Sequence, residues 1–152
     1  MTHGPIQVVE HGEEPAAVVR GHAAAAELPD FLGGVFREVM ERMGEQHIAP
    51  AGPPFARYVP TDGGFDVEAG FPATGAVSPA GRVVAAVLPG GRVATTVHQG
   101  DYGRLGQTYS DLVKWVADQG WICTGAPWES YLDGPDVAEP RTQVSFPCAP
   151  AA

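Results

Sequence analysis

The chain has 152 residues, 44% of them hydrophobic, and a formal net charge of −9 with only nine Lys and Arg residues. This composition is typical of a folded protein, and so few basic residues argue against nucleic acid or an anionic membrane as a partner. No apolar run approaches the roughly 18 residues of a membrane span, and the N-terminus does not read as a signal peptide. The sequence therefore predicts a single cytoplasmic domain over residues 1–152.

In chain order, the first predicted elements are two strands and a helix. Residues 6–10 and 16–21 are rich in β-branched and small apolar residues and are expected to form neighbouring strands. Apolar residues then recur at the spacing of a buried helical face, with Pro29 in the first turn and Gly44 as the C-terminal cap. The residues on this face are Leu28, Leu32, Val35, Phe36, Val39 and Met43.

A Gly-x-Pro-aromatic-x-x-Tyr motif follows the helix at 52–58 and occurs again at 125–131. Each copy is followed by a turn and a strand that ends in Phe-Pro, at 71–72 and at 146–147. The same features in the same order predict two hairpins of similar design. The Pro- and Gly-rich segment 73–82 is interpreted as the junction between two repeats.

The second half of the chain repeats the order of elements of the first. Strands are predicted at 83–88 and 93–100, joined by a tight turn at Pro89-Gly90-Gly91. A second amphipathic helix follows, with Gly120 as its cap. Its apolar face is predicted to consist of Leu105, Tyr109, Leu112, Val113 and Val116.

Together these elements predict an α+β fold of two strand–helix–hairpin (βαββ) units, at about 6–72 and 83–148, related by a pseudo-two-fold axis. We expect an antiparallel sheet with both helices on one side. A ligand cleft is expected between the halves, because binding sites often form where such halves meet. The sequence leaves open whether the protein is a monomer or a dimer.

The second hairpin resembles a known family. Residues 127–132 (Pro-Trp-Glu-Ser-Tyr-Leu), 139–144 (Glu-Pro-Arg-Thr-Gln-Val) and Phe146-Pro147 resemble the closing hairpin of the GyrI-like domain. The turn 99–102 (Gln-Gly-Asp-Tyr) before the second helix fits the same pattern. This domain is the effector-binding module at the C-termini of MerR-type and AraC-type multidrug-sensing regulators. The resemblance extends over nearly the whole chain, from about Ile6 to Phe146.

The resemblance implies a duplicated fold in which a carboxylate from the second hairpin lies among aromatic rings in the cleft. Some family members bind lipophilic cations, some free-standing members hydrolyse cyclopropane-bearing genotoxins, and others inhibit DNA gyrase. The preferred hypothesis is binding of aromatic, often cationic small molecules, with hydrolysis and a gyrase-directed interaction as alternatives. Because the residues before Ile6 leave no room for a helix-turn-helix, a free-standing domain without direct nucleic-acid binding is expected.

Strand alternation predicts which side chains face the cleft. Glu129 and Tyr131 share one face of their strand, and the repeat aligns them with Ala56 and Tyr58. A carboxylate buried among aromatic rings has a raised pKa, and a bound cation stabilises its charged form. In a hydrolase, Glu129 is the predicted general base, with Tyr131 or Tyr58 as proton donor. The predicted ligand-binding residues are Glu129, Tyr131, Tyr58, Trp128, Phe71, Tyr102 and Ala56.

The remaining reactive side chains indicate no further site. The five histidines lack the spacing of metal ligands, so neither a metal nor another cofactor is predicted. Cys123 precedes one strand of the second hairpin and Cys148 follows its partner strand. The two cysteines are therefore expected to be neighbours with reduced thiols, by incidental proximity rather than for redox chemistry.

Overall fold

The computed structural model describes residues 3–134 and 136–151, which form two α-helices and nine β-strands. The helices are α1 (Leu28–Glu45) and α2 (Leu105–Asp118). The strands are β1 (Gln7–His11), β2 (Glu14–Ala23), β3 (Phe55–Thr61), β4 (Gly64–Pro72), β5 (Val84–Leu88), β6 (Gly91–Gln99), β7 (Trp121–Cys123), β8 (Trp128–Tyr131) and β9 (Arg141–Pro150). Helices beside antiparallel strands confirm the predicted α+β class.

Two compact units divide the chain. The continuous unit is Glu13–Pro89, and the split unit combines the residues up to Gly12 with those from Gly90 onward. The strand order is β3-β4-β2-β5 in the continuous unit and β1-β6-β9-β8 in the split unit, where β7 also pairs with β9. In each unit a hairpin, β3–β4 or β8–β9, lies beside a long strand, β2 or β6. A short strand, β5 or β1, pairs with the other edge of that long strand.

The core of the continuous unit lies between α1 and its sheet. Residues 16–19 of β2 are buried on both faces of the strand, and α1 packs against β2 and β4. Val35, Val39 and Met43 are the buried residues of α1, which confirms the helix and the predicted direction of its apolar face. Gly70 is required where β4 meets β2, because a Cβ there would collide with the backbone of Ala17.

The core of the split unit lies beneath α2. Ala94, Leu112, Val116, Val144 and Cys148 form a buried cluster between this helix and its strands. The predicted apolar face of α2 is partly wrong, since Val113 is 45% exposed. Thr108 is fully buried instead, because its hydroxyl has a polar partner inside the unit.

The pairing of the short strands corrects the sequence prediction. Residues 6–10 were expected to pair with the strand that follows them, and so were residues 83–88. The structure exchanges them: β1 pairs with β6, and β5 pairs with β2. The predicted and the observed pairing both give β2 and β6 a neighbour on each edge. The alternation of apolar and polar residues along a strand shows which face is buried but not which strand lies beside it. The segment Pro89-Gly90-Gly91 is therefore a connection between units and not a hairpin turn.

One of the two predicted C-terminal glycine caps is confirmed. Gly120, with φ of 78°, adopts the left-handed conformation just after α2, as predicted. Gly44 lies inside α1, and it is His47, with φ of 57°, that is left-handed after the helix end. Within the described residues, neither helix is long and apolar enough to cross a membrane.

Candidate functional site

Strand β8 carries the central residue of the candidate site. Glu129 and Tyr131 lie on one face of β8, with Val144 and Thr142 of β9 as their cross-strand neighbours. Helix α2 covers this face, because Leu112 packs against Val144 in the buried cluster. As a result Glu129 is only 8% exposed, although glutamate is normally a surface residue.

Two tyrosine hydroxyls hold the Glu129 carboxylate. Tyr131 donates a hydrogen bond to Oε1 and Tyr109, from α2, donates one to Oε2, each across 2.8 Å. These bonds offset part of the free energy lost when a carboxylate leaves water. The sequence places Tyr109 on the apolar face of its helix without a role. The available signal was its amphipathic side chain, since a buried tyrosine hydroxyl usually has a polar partner.

Burial raises the pKa of Glu129 above its usual value. The hydrogen bonds from Tyr109 and Tyr131 act in the opposite direction, because they stabilise the ionised form. Desolvation is the largest of these influences. Glu129 therefore keeps its proton to a higher pH than an exposed glutamate does.

The turn before α2 brings Tyr102 to this carboxylate. Gly100, with φ of 110°, donates its N–H to the carbonyl of Pro140, and the Asp101 side chain accepts a hydrogen bond from the N–H of Gly103. Tyr102 begins a short 3-10 helix there and is 39% exposed. Its ring meets that of Tyr131 edge to face, with centroids 6.4 Å apart. Burial, and then the charges of Asp133 and Glu129, raise the pKa of Tyr102.

His98 connects this turn to α2 through two hydrogen bonds. The imidazole is fully buried, and its Nε2–H donates to the backbone carbonyl of Asp101 across 2.9 Å. That bond leaves Nδ1 as an acceptor for the Thr108 hydroxyl, 2.6 Å away. The histidine thus fixes the backbone that presents Tyr102, a contact that the sequence pattern did not indicate.

A row of polar side chains crosses the sheet beside Glu129. Thr142 of β9 pairs with Tyr131 of β8 on one side and with His98 of β6 on the other. Thr142 is fully buried, and among the described residues its hydroxyl has no hydrogen-bond partner. The carboxylate therefore lies at the end of a buried polar row, although the surrounding cluster is apolar.

The other candidate on β8 lies elsewhere. Trp128 is 2% exposed, and alternation puts it on the face of β8 opposite Glu129. Its ring meets His11 edge to face, with centroids 5.2 Å apart. A cavity of about 240 Å³ also lies on the far face of this sheet, lined by Gln7, Thr95 and Gln143 among others, and no predicted site residue lines it.

Three candidates belong to the continuous unit and pack within it. Ala56 is fully buried. The Tyr58 ring contacts Phe65, and the Phe71 ring contacts Phe36 of α1, both edge to face with centroids 5.9 Å apart. The structure thus brings together Glu129, Tyr131 and Tyr102, with Tyr109 in addition. Ligand binding by all seven predicted residues stays a prediction.

Metal-ligating residue types do not cluster in the described part of the chain. In 3–134 and 136–151, no three His, Cys, Asp or Glu side chains lie together as metal ligands would. The groups that the structure places at the site are a buried carboxylate, tyrosine hydroxyls and aromatic rings.

Comparison with solved structures identifies proteins of the same fold. The C-terminal domain of EcmrR superposes with a TM-score of 0.86 at 22% identity, over 99% of this chain and 100% of that domain. In an EcmrR–DNA complex the match has a TM-score of 0.84 and 23% identity, covering 97% of this chain and 58% of EcmrR. The chain thus spans little more than half of the length of EcmrR.

Two further structures are more distant. A hydrolase from Listeria innocua gives a TM-score of 0.71 at 11% identity, covering 95% of this chain and 91% of that one. SAV2435 bound to tetraphenylphosphonium gives 0.60 at 11% identity, covering 96% and 94%. At these identities the likeness extends to the fold alone.

The family is defined by sequence. Comparison with curated proteins gave no significant match. Residues 53–148 match the model of the GyrI-like small molecule binding domain. Because this match covers more than half of the chain and contains Glu129, Tyr109 and Tyr131, the chain belongs to the GyrI-like small molecule binding domain family.

Proposed function

We propose that this domain binds aromatic, cationic small molecules and that Glu129 is the carboxylate that meets their positive charge. The observation that carries the proposal is a glutamate only 8% exposed whose hydrogen-bond partners are two tyrosine hydroxyls. Within the described part of the chain, no Lys or Arg forms a salt bridge with it. Residues 3–134 and 136–151 thus bury an acidic group without a Lys or Arg counter-ion.

Burial of the Glu129 carboxylate costs free energy when the group is ionised. A carboxylate in an apolar environment resists ionisation, which is why the Glu129 pKa is raised. A bound cation removes this penalty, so the same charge that destabilises the empty site contributes to ligand affinity. The half-exposed ring of Tyr102, next to Tyr131, offers a face for cation–π contact worth about 0.5–2 kcal/mol.

Two further observations support a cationic ligand. The formal charge of −9 attracts cations in general. SAV2435, which has this fold, was determined with tetraphenylphosphonium, an aromatic cation. The two hydroxyls also hold both oxygens of Glu129 in place, so the carboxylate does not need to reorganise when a ligand arrives.

Calorimetric titration with tetraphenylphosphonium tests the proposal. Glu129→Gln is expected to weaken binding roughly 10- to 100-fold, the range for losing one charge-assisted contact. The matched control is Glu139→Gln, the same change at an exposed position between β8 and β9, which should leave affinity within about twofold. Triphenylphosphine oxide, aromatic but uncharged, should bind wild type and Glu129→Gln alike. Undiminished cation binding by Glu129→Gln would overturn the proposal.

Hydrolysis is the alternative that the same residues support. The raised pKa of Glu129 suits a general base that activates water, and Tyr131 lies within hydrogen-bond distance as a proton donor. The Listeria innocua protein of this fold is a hydrolase. Incubation with a cyclopropane-bearing alkylator, followed by mass spectrometry, tests this role, and an unchanged alkylator would remove it. A gyrase-directed interaction is tested by a pull-down with gyrase.

A further inference from the structure

Two free cysteines face each other across adjacent strands of the split unit. Cys123 of β7 and Cys148 of β9 are direct cross-strand partners. Cys148 is 5% exposed, whereas Cys123 is partly accessible at the end of the short strand β7. Side chains of directly opposed residues project from the same face of a sheet, so the two thiols are neighbours.

The hydrogen bonds on either side define the type of pair. Thr124 donates its N–H to Pro147, and Ala151 donates its N–H to Gly120, each across 2.8 Å. Hydrogen-bonded and non-hydrogen-bonded pairs alternate along an antiparallel ladder, so Cys123 and Cys148 form a non-hydrogen-bonded pair. Cα atoms in such pairs lie about 4.5 Å apart, inside the range of about 4.4–6.8 Å that a disulfide requires.

The surroundings give the two thiols different roles. Cys148 lies in the buried cluster with Leu112 and Val116, and burial raises its pKa, although the N–H of Ala94 and the charge of Arg92 favour the thiolate. Burial, and then the neighbouring Cys148, raise the pKa of Cys123. Because Cys123 is the more accessible, an incoming reagent reaches it first.

The position of the pair in the chain gives it a structural effect. Strand β8, the connection after it and residues 141–147 of β9 lie between the two cysteines, so the pair stands at the base of the β8–β9 hairpin. That hairpin carries Glu129 and Tyr131. A bond between the cysteines would close the hairpin into a covalent loop and fix β7 to β9.

Contrary to the expectation from the sequence, and because the two residues are direct cross-strand partners, we propose that Cys123 and Cys148 are a redox-active dithiol that low-molecular-weight disulfides oxidise to a cross-strand disulfide at the base of this hairpin. The Cys123 thiolate attacks one sulfur of the reagent, forming a mixed disulfide and releasing one small thiolate. The Cys148 thiolate then attacks the Cys123 sulfur and releases the second. Two protein thiols and one disulfide thus give one protein disulfide and two small thiols. A dithiol reductant reverses the reaction. This inference does not depend on the proposed ligand.

Oxidised glutathione, added to the full chain and followed by mass spectrometry after alkylation, is the probe. The expected product is a monomer without glutathione and without free thiols, whose peptide map links Cys123 to Cys148. Wild-type protein that stays unmodified, keeps glutathione on Cys123 or links two chains would overturn the proposal.

A register-shifted variant is the matched control. Ile122 is 52% exposed and adjacent to Cys123, so its side chain projects to the other face of β7. The variant Cys123→Ser with Ile122→Cys keeps two cysteines but separates the thiols, and should retain glutathione instead of closing. If this variant forms an intramolecular disulfide as readily as the wild type, the proposed pairing of Cys123 with Cys148 is wrong.

Thermal unfolding tests the effect on the hairpin without any substitution. Oxidised wild type should melt roughly 5 to 10 °C above the reduced protein, because the covalent loop restricts the unfolded chain. Amide exchange should slow in β8 and β9 and stay unchanged in α1. A melting temperature that is equal or lower after verified closure would reject the structural role of the bond.

Discussion

The Tyr109 hydroxyl donates a hydrogen bond to Oε2 of Glu129 across 2.8 Å and so connects helix α2 to strand β8. The ring of Tyr109 packs against the buried cluster beneath the helix, and its oxygen reaches the carboxylate. The orientation of Glu129 therefore depends on how α2 packs on the sheet, and not only on its own strand. A ligand that contacts the carboxylate also acts on this helix.

Tyr109→Phe is expected to raise the pKa of Glu129 further, because it removes one of the two tyrosine hydrogen bonds that favour the ionised form. The free energy of unfolding at neutral pH should fall by about 1–3 kcal/mol, since Oε2 loses its partner in a buried place. NMR titration of the Glu129 carboxyl carbon and urea denaturation measure the two effects. A pKa that moves down in Tyr109→Phe would contradict this account of the site.

The dependence of stability on pH follows from the direction of the Glu129 shift. Because burial raises the pKa in the folded state, the protonated form stabilises the fold at pH values below the unfolded pKa. This contribution is lost as the pH rises through the folded pKa. Glu129→Gln should therefore gain stability relative to wild type as the pH rises, as followed by denaturation across a pH series. Glu139→Gln gives the matched charge change at an exposed site, and an identical trend there would assign the effect to net charge.

The affinity for a cation should also depend on the ionisation of Glu129, but it should increase as the pH rises. The ionised form of Glu129 attracts the ligand, so tetraphenylphosphonium should bind wild type more tightly as the pH rises through the raised pKa. Glu129→Gln should bind it with little dependence on pH. Titrations at several pH values and constant ionic strength measure this, and a pH dependence that persists in the variant would point to another group.

The elements of the fold could largely be predicted, but the partners of two strands could not. Apolar periodicity predicted α1 and α2, and alternation placed Glu129 and Tyr131 on one face of β8. Such patterns report whether a residue is buried and not which strand lies beside it, so the exchange of β1 and β5 was missed. The burial of His98 and Thr108 was not predicted for a related reason. Each is polar and lies in the core because it is hydrogen-bonded to the other, and the sequence does not show that they meet.

A double-mutant cycle measures that hydrogen bond. His98→Phe removes the hydrogen-bond partner of the Thr108 hydroxyl and one of the two donors to the Asp101 carbonyl, which keeps the N–H of Arg104, and should cost about 2–4 kcal/mol of stability. Combined with Thr108→Val, the losses should be less than additive by about 1 kcal/mol. Thr74→Val, whose hydroxyl donates to Ala49 in the continuous unit, is the control and should add to His98→Phe independently. Full additivity of the first pair would show that the bond contributes nothing.

The strand exchange predicts where damage appears when the N-terminus is removed. A chain that starts at Glu13 lacks β1, so β6 loses a neighbour while β2 keeps both of its own. Amide hydrogen exchange should accelerate in β6 and remain slow in β2. A local hairpin between β1 and β2 would give the reverse pattern.

The exchange also has a consequence for synthesis on the ribosome. Val9 of β1 pairs with Val93 of β6, so β1 gains its neighbour only when a strand translated much later is made. At about 5–20 residues per second, the wait for roughly 80 residues lasts about 4 to 16 s. For that time β1 lacks the strand beside which it folds, and this interval is when binding by chaperones would protect the nascent chain most.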